Sequence, residues 1–79
     1  MTTTTKPHAD GGTYRVLQLA ETMNQWAIAL TEWTTYRGAV KFEVLRVSPA
    51  NATVRLGLLD TEAEARSFAN HEWKLDRKV

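Results

Sequence analysis

Apolar and polar residues alternate most clearly over residues 39–48. Val40, Phe42 and Val44 fall on one side of an extended chain, and Lys41 and Glu43 on the other. This is the pattern of a half-buried strand. Ser48-Pro49-Ala50-Asn51 then supplies turn chemistry: proline presets φ and asparagine tolerates the left-handed region. Thr53–Leu59 returns as a second strand, so 39–59 reads as a hairpin. Residues 61–73 follow a helical period, with Ala65, Phe68, Ala69 and Trp73 on one stripe. Thr61 followed by Glu64 is a capping box, and Glu62 and Glu64 suit the positive end of a helix. Lys74, Arg77 and Lys78 come next, where a helix C-terminus favours cations.

Residues 13–36 fit two patterns. Val16, Leu19, Met23, Trp26, Leu30 and Trp33 trace one stripe of a long amphipathic helix over 13–33. That helix would leave Leu17 and Ile28 on its wet side and end in the strand formers Trp33, Thr34, Thr35 and Tyr36. The other pattern is a hairpin, with Tyr14–Glu21 and Gln25–Tyr36 joined near Met23-Asn24. In it, Trp26, Ile28 and Leu30 alternate with Ala27, Ala29 and Thr31. Sequential strands tend to pair, and residues 39–59 are β, so the hairpin is favoured. The fold expected is α+β: an antiparallel sheet of three to four strands with a C-terminal helix packed on one face. Residues 1–12 lack apolar periodicity and read as a flexible tail, leaving 13–79 as one small domain.

Length and composition bound the rest. The chain has 79 residues, a formal net charge of +1 and no cysteine. Disulfides, thiol nucleophiles and most structural zinc sites are excluded. A small secreted domain usually needs disulfide staples, and no apolar leader precedes the strands, so a cytoplasmic setting is expected. Asn51-Ala52-Thr53, a formal glycosylation acceptor, is accordingly read as a chance match. The longest uncharged stretch after the tail, ten residues from Thr22 to Thr31, is too short to span a bilayer. His8 and His71 are far apart, Ser48 and Ser67 have no paired base, and Gly11-Gly12 precedes no Lys-Ser/Thr. No catalytic constellation, metal site or cofactor motif emerges, and the chain reads as a non-enzyme.

Charge is unevenly placed. Residues 33–58 carry Arg37, Lys41, Arg46 and Arg55 against Glu43, a balance of +3. Residues 60–72 carry Asp60, Glu62, Glu64 and Glu72 against Arg66, a balance of −3. A basic sheet face backed by an acidic helix is expected, with Arg15 joining from the first strand. Arg15, Arg37, Lys41, Arg46 and Arg55 are the candidate partner-binding cations. Trp33 and Tyr36 are the candidate aromatic anchors.

Two resemblances extend this reading. The run Gly57-Leu58-Leu59-Asp60-Thr61-Glu62-Ala63-Glu64-Ala65 resembles the strand-to-helix junction of small β-sheet DNA-binding domains, the arm-binding domains of phage integrases and the plant ethylene-response-factor domain. Leu59 stands where those families keep Phe. The resemblance implies a sheet that enters the DNA major groove with a helix behind it. The whole chain, short, cysteine-free and with segregated charge, is similar to the small phage-encoded anti-CRISPR proteins. That likeness implies a non-catalytic inhibitor that blocks a Cas effector complex, such as a CRISPR Cascade, by occlusion through its basic face. A protein partner is thus the leading expectation and a nucleic acid the alternative; no membrane partner is expected.

Overall fold

The computed structural model describes residues 5–77. Among these residues five strands form one antiparallel meander in the order of the chain: β1 (Lys6–Pro7), β2 (Thr13–Glu21), β3 (Ala27–Thr34), β4 (Val40–Val47) and β5 (Thr53–Leu59). One helix, α1 (Glu62–Arg77), comes after β5 and packs on β3, β4 and β5. The sheet does not close: β1 and β5 are its edges. Residues 13–36 are the hairpin, and the helical pattern over 13–33 is not realised. Its stripe residues Val16, Leu19 and Met23 are exposed instead.

The four strand connections are built alike. In each, the first residue's N–H donates to the carbonyl of the fifth: His8 to Gly12, Thr22 to Trp26, Thr35 to Ala39 and Ser48 to Ala52, at 2.7–3.0 Å. The fourth residue of each turn has positive φ: Gly11, Gln25, Gly38 and Asn51. This is the three-residue hairpin loop closed by a left-handed residue. Glycine and asparagine take that conformation readily, whereas glutamine pays a steric cost for it. The first side chain also helps all four turns. The Thr22 hydroxyl donates to the Trp26 carbonyl at 3.2 Å. The Thr35 and Ser48 hydroxyls accept the N–H of Ala39 and Ala52, and His8 Nδ1 accepts that of Asp10.

Side chains opposite one another in a sheet share a face, so register assigns the two faces. Leu30 lies opposite Val44, and Phe42 opposite Leu59. Together with Ile28 they meet Ala65 and Ala69 of α1 and form the core. Leu17, Leu56, Phe68 and Trp73 pack around it. Gly57 sits under the helix because it has no side chain: a Cβ there would lie 2.9 Å from Phe68 Cζ. The helix is capped as its sequence requires. Glu64 N–H donates to Thr61 Oγ1 at 3.2 Å, and the hydroxyl donates to the Glu64 carboxylate at 2.8 Å. α1 runs on past Trp73 to Arg77, because Arg46 on β4 clamps Asp76 through two nitrogens at 3.1–3.2 Å.

The segment read as a tail is docked over its described part. Lys6 and Pro7 pair with Tyr14 and Thr13, and residues 8–12 fold back over the sheet. Residues 1–4 lie outside the described residues.

Two substitutions check this architecture. Leu30→Ala truncates the largest fully buried side chain and is expected to cost about 2–5 kcal/mol, much of a small domain's margin, measured by urea unfolding. Gln25→Gly relieves the left-handed strain and is expected to raise stability by about 0.5–1 kcal/mol in the same assay.

Candidate functional site

α1 covers one sheet face. The opposite face carries Tyr14 and Val16 of β2, Ala29, Thr31 and Trp33 of β3, Lys41, Glu43 and Leu45 of β4, and Arg55 of β5. The loop His8–Gly12 folds over one end of this face. Its anchor is Glu43, only 3% exposed although it lies on the side away from the helix.

Glu43 is held through both oxygens. His8 Nε2 lies 2.6 Å from Oε1. Arg55 takes Oε2, with Nε at 2.7 Å and Nη2 at 2.6 Å. Because His8 Nδ1 accepts the Asp10 N–H at 2.9 Å, the ring proton resides on Nε2 and points at the carboxylate. The imidazole is therefore the neutral donor, and the charge that balances Glu43 comes from Arg55. Thr31 Oγ1 bonds the Glu43 carbonyl at 3.4 Å. Among the described residues no buried side-chain nitrogen or oxygen is left without a hydrogen bond.

Trp33 carries the loop. The His8 ring stacks on the indole with centroids 4.1 Å apart and planes 12° from parallel. The indole Nε1 donates to the Gly11 carbonyl at 2.8 Å. Tyr14 meets His8 edge to face at 6.0 Å. Gly12 passes so close to β3 that a Cβ would lie 2.0 Å from the Thr34 carbonyl oxygen.

Between this loop and β5 is a cleft of about 520 Å³. Asp10 and Tyr14 border it on the loop side, and Thr53 and Arg55 on the β5 side. Glu43 and Leu45 contribute to its floor. Asp10 Oδ2 reaches across to Arg55 Nη2 at 3.4 Å, so loop and edge strand touch at one point. The volume is in the range of small-ligand pockets.

The five candidate cations are not gathered on one face. Arg15 lies on the helix-covered face, forked onto Glu32 at 2.8 and 3.4 Å. The Glu32 carboxylate, first by hydrogen bond and then by charge, holds the Arg15 pKa above its ordinary value. Arg46 is on the same face, bound to Asp76 and stacked 4.0 Å over Trp26. Lys41 and Arg55 share the opposite face with Trp33, but Lys41 pairs with Asp60 at 2.7 Å and Arg55 with Glu43 and Asp10. Arg37 and Tyr36 sit at the β3–β4 turn, where Arg37 Nε donates to the Tyr36 hydroxyl at 3.0 Å. Among the described residues Tyr36 is the most exposed of the large hydrophobic side chains, at 73%. Trp33 is a platform for the chain's own loop.

His8, Asp10 and Glu43 escape the sequence reading. Glu43 sits at a polar position of an alternating strand, where solvation is the natural inference. The residues that bury it lie 35 positions earlier and 12 later, beyond any local period. Among the described residues no group of three or more His, Cys, Asp or Glu side chains is arranged to hold a metal ion. Among them, too, no helix is long and apolar enough to cross a membrane.

The fold and cleft define a small α+β domain with an open antiparallel sheet and a loop-bordered concave site. Comparisons with protein-family models, characterised proteins and solved structures found no match to this chain.

The latch is testable by substitution. Arg55→Met leaves Glu43 buried beside a neutral donor; breaking a buried pair costs about 3–5 kcal/mol, and the partial exposure of Arg55 reduces this. Glu43→Leu combined with Arg55→Met is expected to be less destabilising than Arg55→Met alone, measured by a double-mutant cycle in urea. Gly12→Ala is expected to detach the loop at a cost above about 1 kcal/mol, with Trp fluorescence changed and helical dichroism kept.

Proposed function

We propose that this chain is a non-catalytic interaction domain that binds an extended protein segment along the outer edge of β5. The observation that carries the reading is the asymmetry of the sheet edges. At one edge, the nine-residue β2 is partly covered by β1 and its loop. At the other, among the described residues the seven-residue β5 pairs with β4 alone, and Thr53, Val54, Arg55 and Leu58 along it are exposed. An edge of this kind offers a row of backbone donors and acceptors to an incoming strand. The cleft beside it gives the incoming strand's side chains a place to go.

The ion pairing of Arg15, Lys41, Arg46 and Arg55 favours a protein partner over a nucleic acid, since these cations already have carboxylate partners. A phage-type inhibitor that occludes a CRISPR effector is the most concrete version of this reading. Size and α+β architecture support it, whereas the segregated charge behind that likeness is distributed over both sheet faces.

Selection of seven-residue peptides against the immobilised protein, followed by amide-shift mapping of the best binder, tests the proposal. The expected result is a set of shifts along Thr53–Leu59, abolished by Val54→Lys with Leu58→Lys and unaffected by Glu72→Lys on the helix. Shifts confined to α1 or to the β3–β4 turn would overturn it. Failure to bind peptide, with salt-sensitive binding of duplex DNA instead, would favour the nucleic-acid reading.

A further inference from the structure

The cleft that adjoins the β5 edge has a definite chemistry. Among the described residues its ionised lining groups are Asp10, Glu43 and Arg55. His8 also lines it, but its Nδ1 accepts a backbone N–H and its Nε2–H is spent on Glu43, so it adds no charge. Two carboxylates thus face one guanidinium. Lys6, opposite Tyr14 in the β1–β2 pairing, does not line the cleft.

The two carboxylates differ in availability. Glu43 is enclosed and bonded through both oxygens. Asp10 has a side chain 62% exposed and holds Arg55 through one oxygen, at the long distance of 3.4 Å. Its other oxygen is open to a donor. Tyr14 and Thr53, both hydroxyl-bearing, line the cleft, and Leu45 and Pro7 provide apolar surface for a hydrocarbon stem. Excess negative charge, hydroxyls and apolar walls suit a long side chain ending in a cation.

We infer that the segment added to β5 is basic, and that a lysine or arginine from it enters the cleft to meet Asp10. This rests on the strand-addition reading and specifies its partner. The position favoured is the one opposite Thr53. A cation opposite Arg55 would meet a like charge, and like charges directly across a ladder are destabilising. The sign is the reverse of the anionic partner expected from the sequence. The cations seen there are largely committed to the chain's own acids, whereas Asp10 is only weakly engaged.

The test uses three capped seven-residue peptides of alternating threonine and valine with one variable central position: lysine, norleucine or glutamate. Each is titrated into the full chain and monitored by amide shifts. The lysine peptide is expected to bind about two- to fivefold more tightly than the norleucine peptide, the range of one partly exposed ion pair, and the glutamate peptide more weakly than either. Asp10→Asn keeps the backbone N–H that His8 accepts and removes the charge. It is expected to abolish the lysine preference and leave norleucine-peptide binding unchanged. Equal binding of all three peptides along Thr53–Leu59 would overturn the basic preference and leave strand addition standing. Tighter binding of the glutamate peptide would do the same. Absence of shifts along β5 with every peptide would overturn both. Concentration-dependent β5 shifts without peptide, with dimers in sedimentation, would assign the edge to a second copy and overturn both.

Discussion

A carboxylate withdrawn from water persists as an anion only where donors and opposite charge replace the water it lost. Glu43 meets that condition with a neutral imidazole on one oxygen and a guanidinium on the other. The two groups come from opposite ends of the chain. His8 arrives from the loop before β2, and Arg55 from the last strand. Their convergence on β4 ties the β1–β2 loop and the β5 edge to an interior strand. The loop lies over the face that α1 leaves uncovered, and the cleft is the space between that loop and β5.

The two faces of the sheet are stabilised by different physics. Under α1, Ile28, Leu30, Phe42 and Val44 meet two alanines and two aromatics, and removal of apolar surface from water holds the layers together. On the other face the cover is a five-residue loop with one stacked histidine and one indole–carbonyl bond. Hydrogen bonds and stacking supply the cohesion there, and net gains per hydrogen bond are modest. The loop is thus the more easily displaced cover, and it stands beside the proposed binding edge. Its glycines are structural: Gly12 has no room for a Cβ, and Gly11 closes the turn with positive φ.

The architecture is largely legible in the sequence because it obeys local periods. Alternation at Val40, Phe42 and Val44 places β4 and its inward face, and Ser48–Asn51 marks the turn. Thr61 and Glu64 mark the helix start. The hairpin at 13–36 is harder, because Gln25 is not a customary turn residue yet occupies the left-handed position. The alternation at Trp26, Ile28 and Leu30, the strand formers at 33–36 and the preference for pairing with the later strands favour it over the helix. The apolar stripe ends the helix short, at Trp73, since the Arg46–Asp76 clamp is a tertiary contact without a sequence signature. The site is much less legible. Charge counting along 33–58 groups residues that register sends to opposite faces, and pairing with Glu32, Asp60, Asp76 and Glu43 neutralises four of the five cations. Glu43 enters that count as a minor offset, although its burial organises the whole face.

The central claim is that His8, as the Nε2–H tautomer, binds Glu43 while stacked on Trp33. Long-range proton–nitrogen correlation of the His8 ring, with nuclear Overhauser contacts to the Trp33 indole at neutral pH, measures this directly. The account predicts a protonated Nε2, an unprotonated Nδ1 and strong ring-to-indole contacts. A ring averaging between tautomers, with no contact to Trp33, would mean that the loop does not dock and that the cleft does not exist as described.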